Sequence, residues 1–315
     1  MKRQLLGVAA FMLALSAHAQ DNPLWMRYCA ISPDGTSIAF TYKGDIYTVP
    51  VNGGKAAQIT TNAAHDTHPV WSPDGKQIAF ASDRMGSMDI FVVDREGGIP
   101  KRLTTHSGNE TPVAFKDADH ILFLANVMPS AEDAQFPSGQ FQQVYEVSTT
   151  GDRPVMFSSM PMEDISINKT GNALLYHDKK GYEDPWRKHH TSSITRDIWL
   201  CSLDGKRSYR KLTSFNGEDR TPVWASDGKS FYYLSEEKGS FNVFKRALDG
   251  TSSTQLTHHT KHPVRFLTAA DNGTLCYGYD GEIYTMKEGT EPRKVQISIL
   301  TDKNDKDLIR QIRRN

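Results

Sequence analysis

The sequence predicts an all-β fold: a six-bladed β-propeller of four-stranded antiparallel blades, closed without a strand latch. Three observations carry this. An acidic or amide residue followed by a β-branched residue and an aromatic recurs six times, as Asp45-Ile46-Tyr47, Asp89-Ile90-Phe91, Gln143-Val144-Tyr145, Asp197-Ile198-Trp199, Asn242-Val243-Phe244 and Glu282-Ile283-Tyr284. Each copy leads into a short run ending in a hydroxyl, at Thr60, Thr104, Ser158, Thr213, Thr257 and Ser298, spaced 44, 54, 55, 44 and 41 residues apart. Ahead of each copy stands a hairpin signal, clearest as Ser32-Pro33-Asp34-Gly35, Ser72-Pro73-Asp74-Gly75 and Ala225-Ser226-Asp227-Gly228. A repeat of this length built from short strands marks a propeller, because one four-stranded blade cannot bury both faces until neighbours stack against it.

Taken in order, residues 1–19 read as a signal peptide: Lys2 and Arg3, an apolar run from Leu5 to Leu15, then Ala17-His18-Ala19 as a small-x-small cleavage site. The run is shorter than the roughly 20 apolar residues a membrane-spanning helix needs, and no later segment approaches that length. A periplasmic or otherwise exported protein that does not span the membrane is the expectation. Residues 20–300 hold the propeller, and 301–315 read as a charged linker or tail.

In the second copy the strands are expected at Pro69 to Ser72, Lys76 to Ala81, Asp89 to Val93 and Pro100 to Thr104. Proline presets the first turn position of the hairpin, and glycine takes the left-handed conformation that closes it. The turn drifts to Asn168-Lys169-Thr170-Gly171 and Ala270-Asp271-Asn272-Gly273, while blade three keeps Lys116-Asp117-Ala118-Asp119. Second strands alternate, as in Ile78/Phe80, Leu122/Leu124 and Phe231/Tyr233, the period of a strand with one deeply packed face. Blade entries carry proline (Pro69, Pro112, Pro222, Pro263) at the expected first strand residue, where a missing N–H costs least. Copies one and six each hold four strands of their own, so the ring is expected to close by side-chain packing alone, with Asn22 to Met26 as a spare N-terminal segment.

The formal net charge is zero, and removal of Lys2 and Arg3 leaves 35 basic against 37 acidic residues. That balance argues against nucleic acid, whose binders present a dense basic face. Three cysteines make no disulfide framework. Cys29, Cys201 and Cys276 lie in strand patterns and read as small buried apolar residues, with oxidation of one pair left open.

Topology sorts the loops. Hairpins between first and second strands share one side of the disc; blade-joining loops and the connections between second and third strands share the other. The long insertions Met128 to Gln140 and His177 to Arg196 fall on the latter side, with His65, His68, His106, His258, His259 and His262. Long loops on one face of a rigid scaffold are where binding resides. The candidate peptide- or partner-binding residues are therefore His65, His68, His106, Tyr182, Trp186, Arg187, His258 and His262. Solvated loop histidines fit this pattern better than a metal held by these histidines, and no metal or cofactor is assigned. Glu163-Asp164 and Glu218-Asp219 are expected in blade-joining loops, as capping and channel-mouth charge. No Gly-x-Ser-x-Gly elbow, His-Glu-x-x-His or phosphate-binding glycine loop is present, and no catalytic residue is assigned.

Ser-Pro-Asp-Gly-x-x-Ile-Ala-Phe, the Ser82-Asp83-Arg84 that follows, the Asp-Ile-aromatic strand and the closing Leu-Thr together resemble the propeller repeats of the TolB and tricorn protease families. Pro23-Leu24-Trp25-Met26-Arg27-Tyr28, running on to Asp45-Ile46-Tyr47, is similar to the start of secreted tricorn-type serine proteases. The resemblance implies a six-bladed propeller without a latch, followed in that family by a seven-bladed propeller, a PDZ domain and the catalytic domains. The family's catalytic serine, histidine and acid have no counterparts here, so none is carried over. What it implies is a non-catalytic module that gates or binds peptides and protein partners, with protease domains encoded separately as one possible partner. The rivals are a free-standing TolB-like envelope scaffold and a metal-dependent propeller enzyme using the histidine-rich face.

Overall fold

The computed structural model describes residues 19–21, 23–126, 141–180 and 194–300, and among these it contains strands, turns and no helix. Six four-stranded antiparallel sheets stand in chain order. Blade one is built from Arg27–Ile31, Ser37–Tyr42, Asp45–Pro50 and Ala57–Gln58, and blade two from Asp66–Trp71, Gln77–Ser82, Asp89–Asp94 and Lys101–Arg102. Blade three comprises Thr111–Phe115, His120–Ala125, Gln143–Ser148 and Val155–Ser158; blade four, Met162–Ile167, Ala173–Asp178, Ile198–Ser202 and Ser208–Lys211. Blades five and six are Asp219–Trp224, Ser230–Ser235, Asn242–Ala247 and Ser253–Gln255, then Arg265–Ala269, Leu275–Tyr279, Glu282–Met286 and Arg293–Lys294.

The hydrophobic interior is divided between the blades. Each of the six apolar clusters spans two neighbouring blades, the sixth joining blade six to blade one. Strand alternation explains the division. Ile78 and Phe80 point toward blade one, whereas Ala79 between them faces blade three. Tyr232 and Leu234 face blade six, while Phe231 and Tyr233 face blade four. The second strands are thus packed on both faces rather than on one, which is the burial a propeller demands of its middle strands.

The recurrent hydroxyl is a clasp within the blade. Thr60, Thr104, Thr213 and Thr257 each accept a hydrogen bond at 2.9 Å from the N–H of the β-branched residue in the third strand: Ile46, Ile90, Ile198 and Val243. This ties the short outer strand to its neighbour where the backbone ladder runs out. The sixth copy departs from expectation. Val295 N–H reaches Ile283 O, as Leu103 reaches Ile90 in blade two, so Gln296 occupies the hydroxyl position and Ser298 belongs elsewhere.

Ser298 lies in a small rim sheet. Ile297–Leu300 pairs antiparallel with Ala19–Asp21 and parallel with Gly54–Lys55 of blade one. Gly54 N–H donates to Gln296 O at 2.8 Å and Ala56 N–H to Ser298 O at 2.9 Å. Gly53 approaches so closely, at φ +88°, that a Cβ there would sit 2.5 Å from the Gln296 carbonyl oxygen. Among the described residues no foreign strand completes a blade. Closure by side chains alone is nevertheless corrected, because backbone hydrogen bonds also bind the last blade's exit segment to the first blade.

The Ser-Pro-Asp-Gly turns are locked internally. Asp74 Oδ1 accepts from Ser72 Oγ at 2.7 Å and Lys76 N–H at 3.1 Å, while Gly75 sits at φ +68°. Ser72's hydroxyl, then the Lys76 N–H, hold the Asp74 carboxyl below its ordinary value. The Ser82-Asp83-Arg84 motif ties blade entry to the connection between second and third strands. The Arg84 guanidinium bonds both oxygens of buried Asp66 at 3.0 Å and lies over Phe91, and Asp83 accepts His65 N–H at 2.7 Å.

Candidate functional site

The inner strands of all six blades line a central channel of about 960 Å³. The blade-two inner strand begins earlier than expected, at Asp66 rather than Pro69, because a β-bulge lets it continue past the proline, whereas that of blade six begins later, at Arg265 after Pro263. Pro69, Pro112 and Pro222 therefore sit inside their strands, at or beside the register break where a ladder N–H is not needed. Every inner strand carries such a break, between Arg27 and Ala30, Thr67 and Val70, Pro112 and Ala114, Glu163 and Ser166, Arg220 and Val223, and Arg265 and Thr268.

The bulge residues line the channel wall, among them the positionally equivalent Tyr28, His68, Pro112, Asp164, Thr221 and Phe266. Five of these six hold a left-handed backbone, with φ of +52°, +54°, +48°, +52° and +58° for Tyr28, His68, Asp164, Thr221 and Phe266. Proline's fixed φ excludes that conformation at Pro112. Bulky and β-branched residues adopt it at a cost of about 1–3 kcal/mol each, and such strain gathers where side-chain aim matters.

The ring is chemically lopsided. Tyr28 packs in tilted geometry against His68 at 3.7 Å between centroids and against Phe266 at 4.9 Å, forming an aromatic arc across blades six, one and two. On the opposite side, Thr221 donates its hydroxyl to Asp164 at 2.6 Å. Burial pushes the His68 imidazole down to about 4, outweighing the attraction of Asp164, so it is neutral near pH 7. Burial also raises the Tyr28 phenol.

Behind Asp164 lies a network that stiffens that side. Glu163 contacts His177 at 3.2 Å and Lys179 at 2.7 Å, and Arg196 bonds fully buried Glu218 at 2.8 Å. Burial alone would raise the Glu163 carboxyl, but His177 and Lys179 together hold it well below the carboxylate range. Arg220 stacks over Phe241 at 4.0 Å; burial lowers it to about 10, leaving it cationic at neutral pH. Glu163 and Asp164 thus belong to the blade-four inner strand and Asp219 to that of blade five, not to blade-joining loops. At the hairpin end of the channel, Lys169 of blade four pairs with Asp271 of blade six at 2.9 Å, bypassing blade five.

Of the histidines singled out by sequence, His68 lines the channel from within a strand rather than from a loop. His65, His106 and His258 are exposed on blade-joining loops, and His262 contacts Asp280 at 3.3 Å. His65 and His106 are tied to the neighbouring connections between second and third strands, His106 through its carbonyl to Ser87 at 3.1 Å. They share a face but are not brought together, and among the described residues no group of three or more His, Cys, Asp or Glu is arranged to hold a metal. Tyr182, Trp186 and Arg187 lie outside the described residues. Of the other five, the sequence marks Asp164 as channel-mouth charge and Pro112 as a blade entry, and it marks none of Tyr28, Thr221 and Phe266 as a binding residue. Their signal is positional: each stands four residues before the residue that opens its blade's first hairpin turn.

Residues 23–292 match the model of the tricorn protease N-terminal beta propeller domain. Among curated relatives, the chain is 25% identical over 279 residues to tricorn protease homolog 1 of Streptomyces coelicolor, covering 88% of this chain and 25% of that protein. It is 24% identical over 295 residues to the tricorn protease of Thermoplasma acidophilum, covering 90% and 26%. The chain thus spans about a quarter of the length of these relatives. Among solved structures, the tricorn protease superposes with a TM-score of 0.74 at 20% identity, over 90% of this chain and 27% of that one. TolB from Acinetobacter baumannii gives 0.63 at 15% identity, over 86% and 63%, a likeness of fold alone. With the family model covering the propeller from before its first blade to the third strand of its sixth and the turn beyond it, the chain belongs to the family of tricorn protease N-terminal β-propeller domains.

Proposed function

We propose that this propeller is a non-catalytic module of a tricorn-like serine protease system, exported from the cytoplasm, whose channel binds and gates extended peptides. The observation that carries the reading is the bulged ring: six side chains at equivalent strand positions lining one central channel, five of them from backbones held in a strained conformation. An aromatic arc facing a hydroxyl–carboxylate pair offers apolar contact and hydrogen-bond acceptors to a threading chain, while the neutral His68 adds no repulsion. The exposed Lys169–Asp271 pair at the far end is a weak, salt-screened contact that a passing peptide can displace. Proteolysis is assigned to protease domains outside these residues, and export rests on the basic, apolar and small-residue pattern of residues 1–19.

Fluorescent peptides titrated into the purified chain test this reading. Tyr28→Gly and Phe266→Gly relieve left-handed strain while deleting the rings, so folding should be little changed and peptide affinity should fall about tenfold or more. Parent-like affinity in both variants would remove the channel from the function. Deleting 182–190 should likewise spare the fold and weaken binding if Tyr182, Trp186 and Arg187 contribute to the same face. Binding of folded proteins with no response to either ring variant would favour the TolB-like scaffold instead.

A further inference from the structure

Cys29 and Cys276 meet at the seam where the ring closes. Cys29 belongs to the inner strand of blade one and Cys276 to the second strand of blade six, 2% and 0% exposed within the cluster those two blades share. Their approach is set by backbone. Ile31 N–H donates to Thr268 Oγ1 across the seam at 3.1 Å, and Thr268 is the register partner of Cys276. The Cys29 thiol lies 3.5 Å from the Phe266 carbonyl oxygen and is a hydrogen-bond neighbour of the Cys276 thiol. Cys201 is buried in blade four, in a different cluster.

We propose that Cys29 and Cys276 form a disulfide that locks the propeller at its closing seam. The oxidant is a thiol–disulfide donor, either a small disulfide such as oxidised glutathione or a protein disulfide. One cysteine thiolate attacks the donor and expels a thiolate, and the second cysteine thiolate then attacks the mixed disulfide. Two S–H bonds are lost, one S–S bond forms, and the two electrons leave with the donor as two thiols. Burial raises the Cys276 thiol well above its ordinary value, so little thiolate exists in the closed ring. Oxidation therefore belongs to the open seam, during folding, and the same burial afterwards shields the bond from reductants. The enclosed loop is most of the propeller, the arrangement in which a cross-link most restricts the unfolded chain. In the cell the oxidising environment depends on the proposed export, whereas the chemistry can be tested without it.

The test refolds the full chain carrying Cys201→Ser from urea in a mixture of reduced and oxidised glutathione. Remaining thiols are counted with a maleimide after denaturation, and unreduced peptides are mapped by mass. The expected result is consumption of both thiols, a Cys29–Cys276 linked peptide, and a melting midpoint raised by roughly 5–10 °C over the reduced form. Two free thiols, or separate glutathione adducts with no cross-link, would overturn the proposal. The parent chain, refolded in the same mixture, supplies an arm independent of the Cys201→Ser substitution; three free thiols, or a cross-link involving Cys201, overturn the proposal equally. Peptide titration of oxidised and reduced samples keeps the outcomes apart, since absence of the disulfide leaves channel binding untouched.

Discussion

Trp71→Ala is expected to destabilise the propeller by about 3–5 kcal/mol, the range for deleting a large buried aromatic. Trp71 is 7% exposed and packs with Ala30, Ile46 and Ile59 of blade one and with Ile78 and Phe80 of its own blade. Its indole N–H donates to the Ala30 carbonyl at 2.9 Å, so alanine opens a cavity and also orphans an acceptor at the boundary between blades. Trp224 repeats the device, donating to Ser166 O at 3.0 Å between blades five and four. Each blade packs its apolar faces against its two neighbours, so a loss at one boundary is felt around the ring. A fall in thermal midpoint of about 5–10 °C should accompany Trp71→Ala. A midpoint within a degree of the parent would contradict this packing.

The second large effect depends on pH. Glu110 opens the approach to blade three with no exposed surface, its Oε2 accepting a hydrogen bond from Thr104 and its Oε1 lacking a partner among the described residues. Asp89 is nearby, itself paired with Arg102 at 2.8 Å. Burial pushes the Glu110 carboxyl up to about 7, and Asp89 adds to the rise against the opposing Thr104 bond. Because the folded value lies above the unfolded one, the folded state retains a proton that the unfolded chain releases. This contribution is present in full below the unfolded value and is lost as pH rises toward about 7. The loss amounts to roughly 3 kcal/mol. Asp219, raised to about 6 by burial, acts in the same sense, whereas Glu163, held low, acts in the opposite one.

Glu110→Gln keeps the shape and the contact with Thr104 while removing the titration. Urea unfolding of parent and variant at pH 5 and pH 8 should show a small difference in acid and a variant more stable by up to about 3 kcal/mol in base. The comparison cancels groups common to both chains. A difference that stays constant between the two pH values would show that Glu110 does not titrate in this window.

The blades were legible because their signal is local and redundant. Ile78/Phe80 and Phe231/Tyr233 announce strands by period, Asp74-Gly75 announces a turn, and six copies make the count self-checking. The sixth outer strand misled because Gln296-Ile297-Ser298 copies the pattern of Gln255-Leu256-Thr257 two residues late, and only the hydrogen bond of Val295 to Ile283 reveals the true register. The channel ring was hidden for a different reason. A bulge shifts which residues face inward, so Asp164 and Thr221 read as loop residues until the register break beside them is known. His68 was chosen for its loop neighbours and belongs to the site through its strand. The contact between Cys29 and Cys276 joins residues from opposite ends of the chain, a proximity no local pattern carries.

The rim sheet has a mechanical consequence. Its middle strand, Ile297–Leu300, is flanked by Ala19–Asp21 and Gly54–Lys55, so a pull along that strand loads the cross-strand bonds together, in shear, rather than opening them one after another. Force entering at residue 300 passes first into blade one, and the last blade is drawn against the first instead of being peeled from the disc.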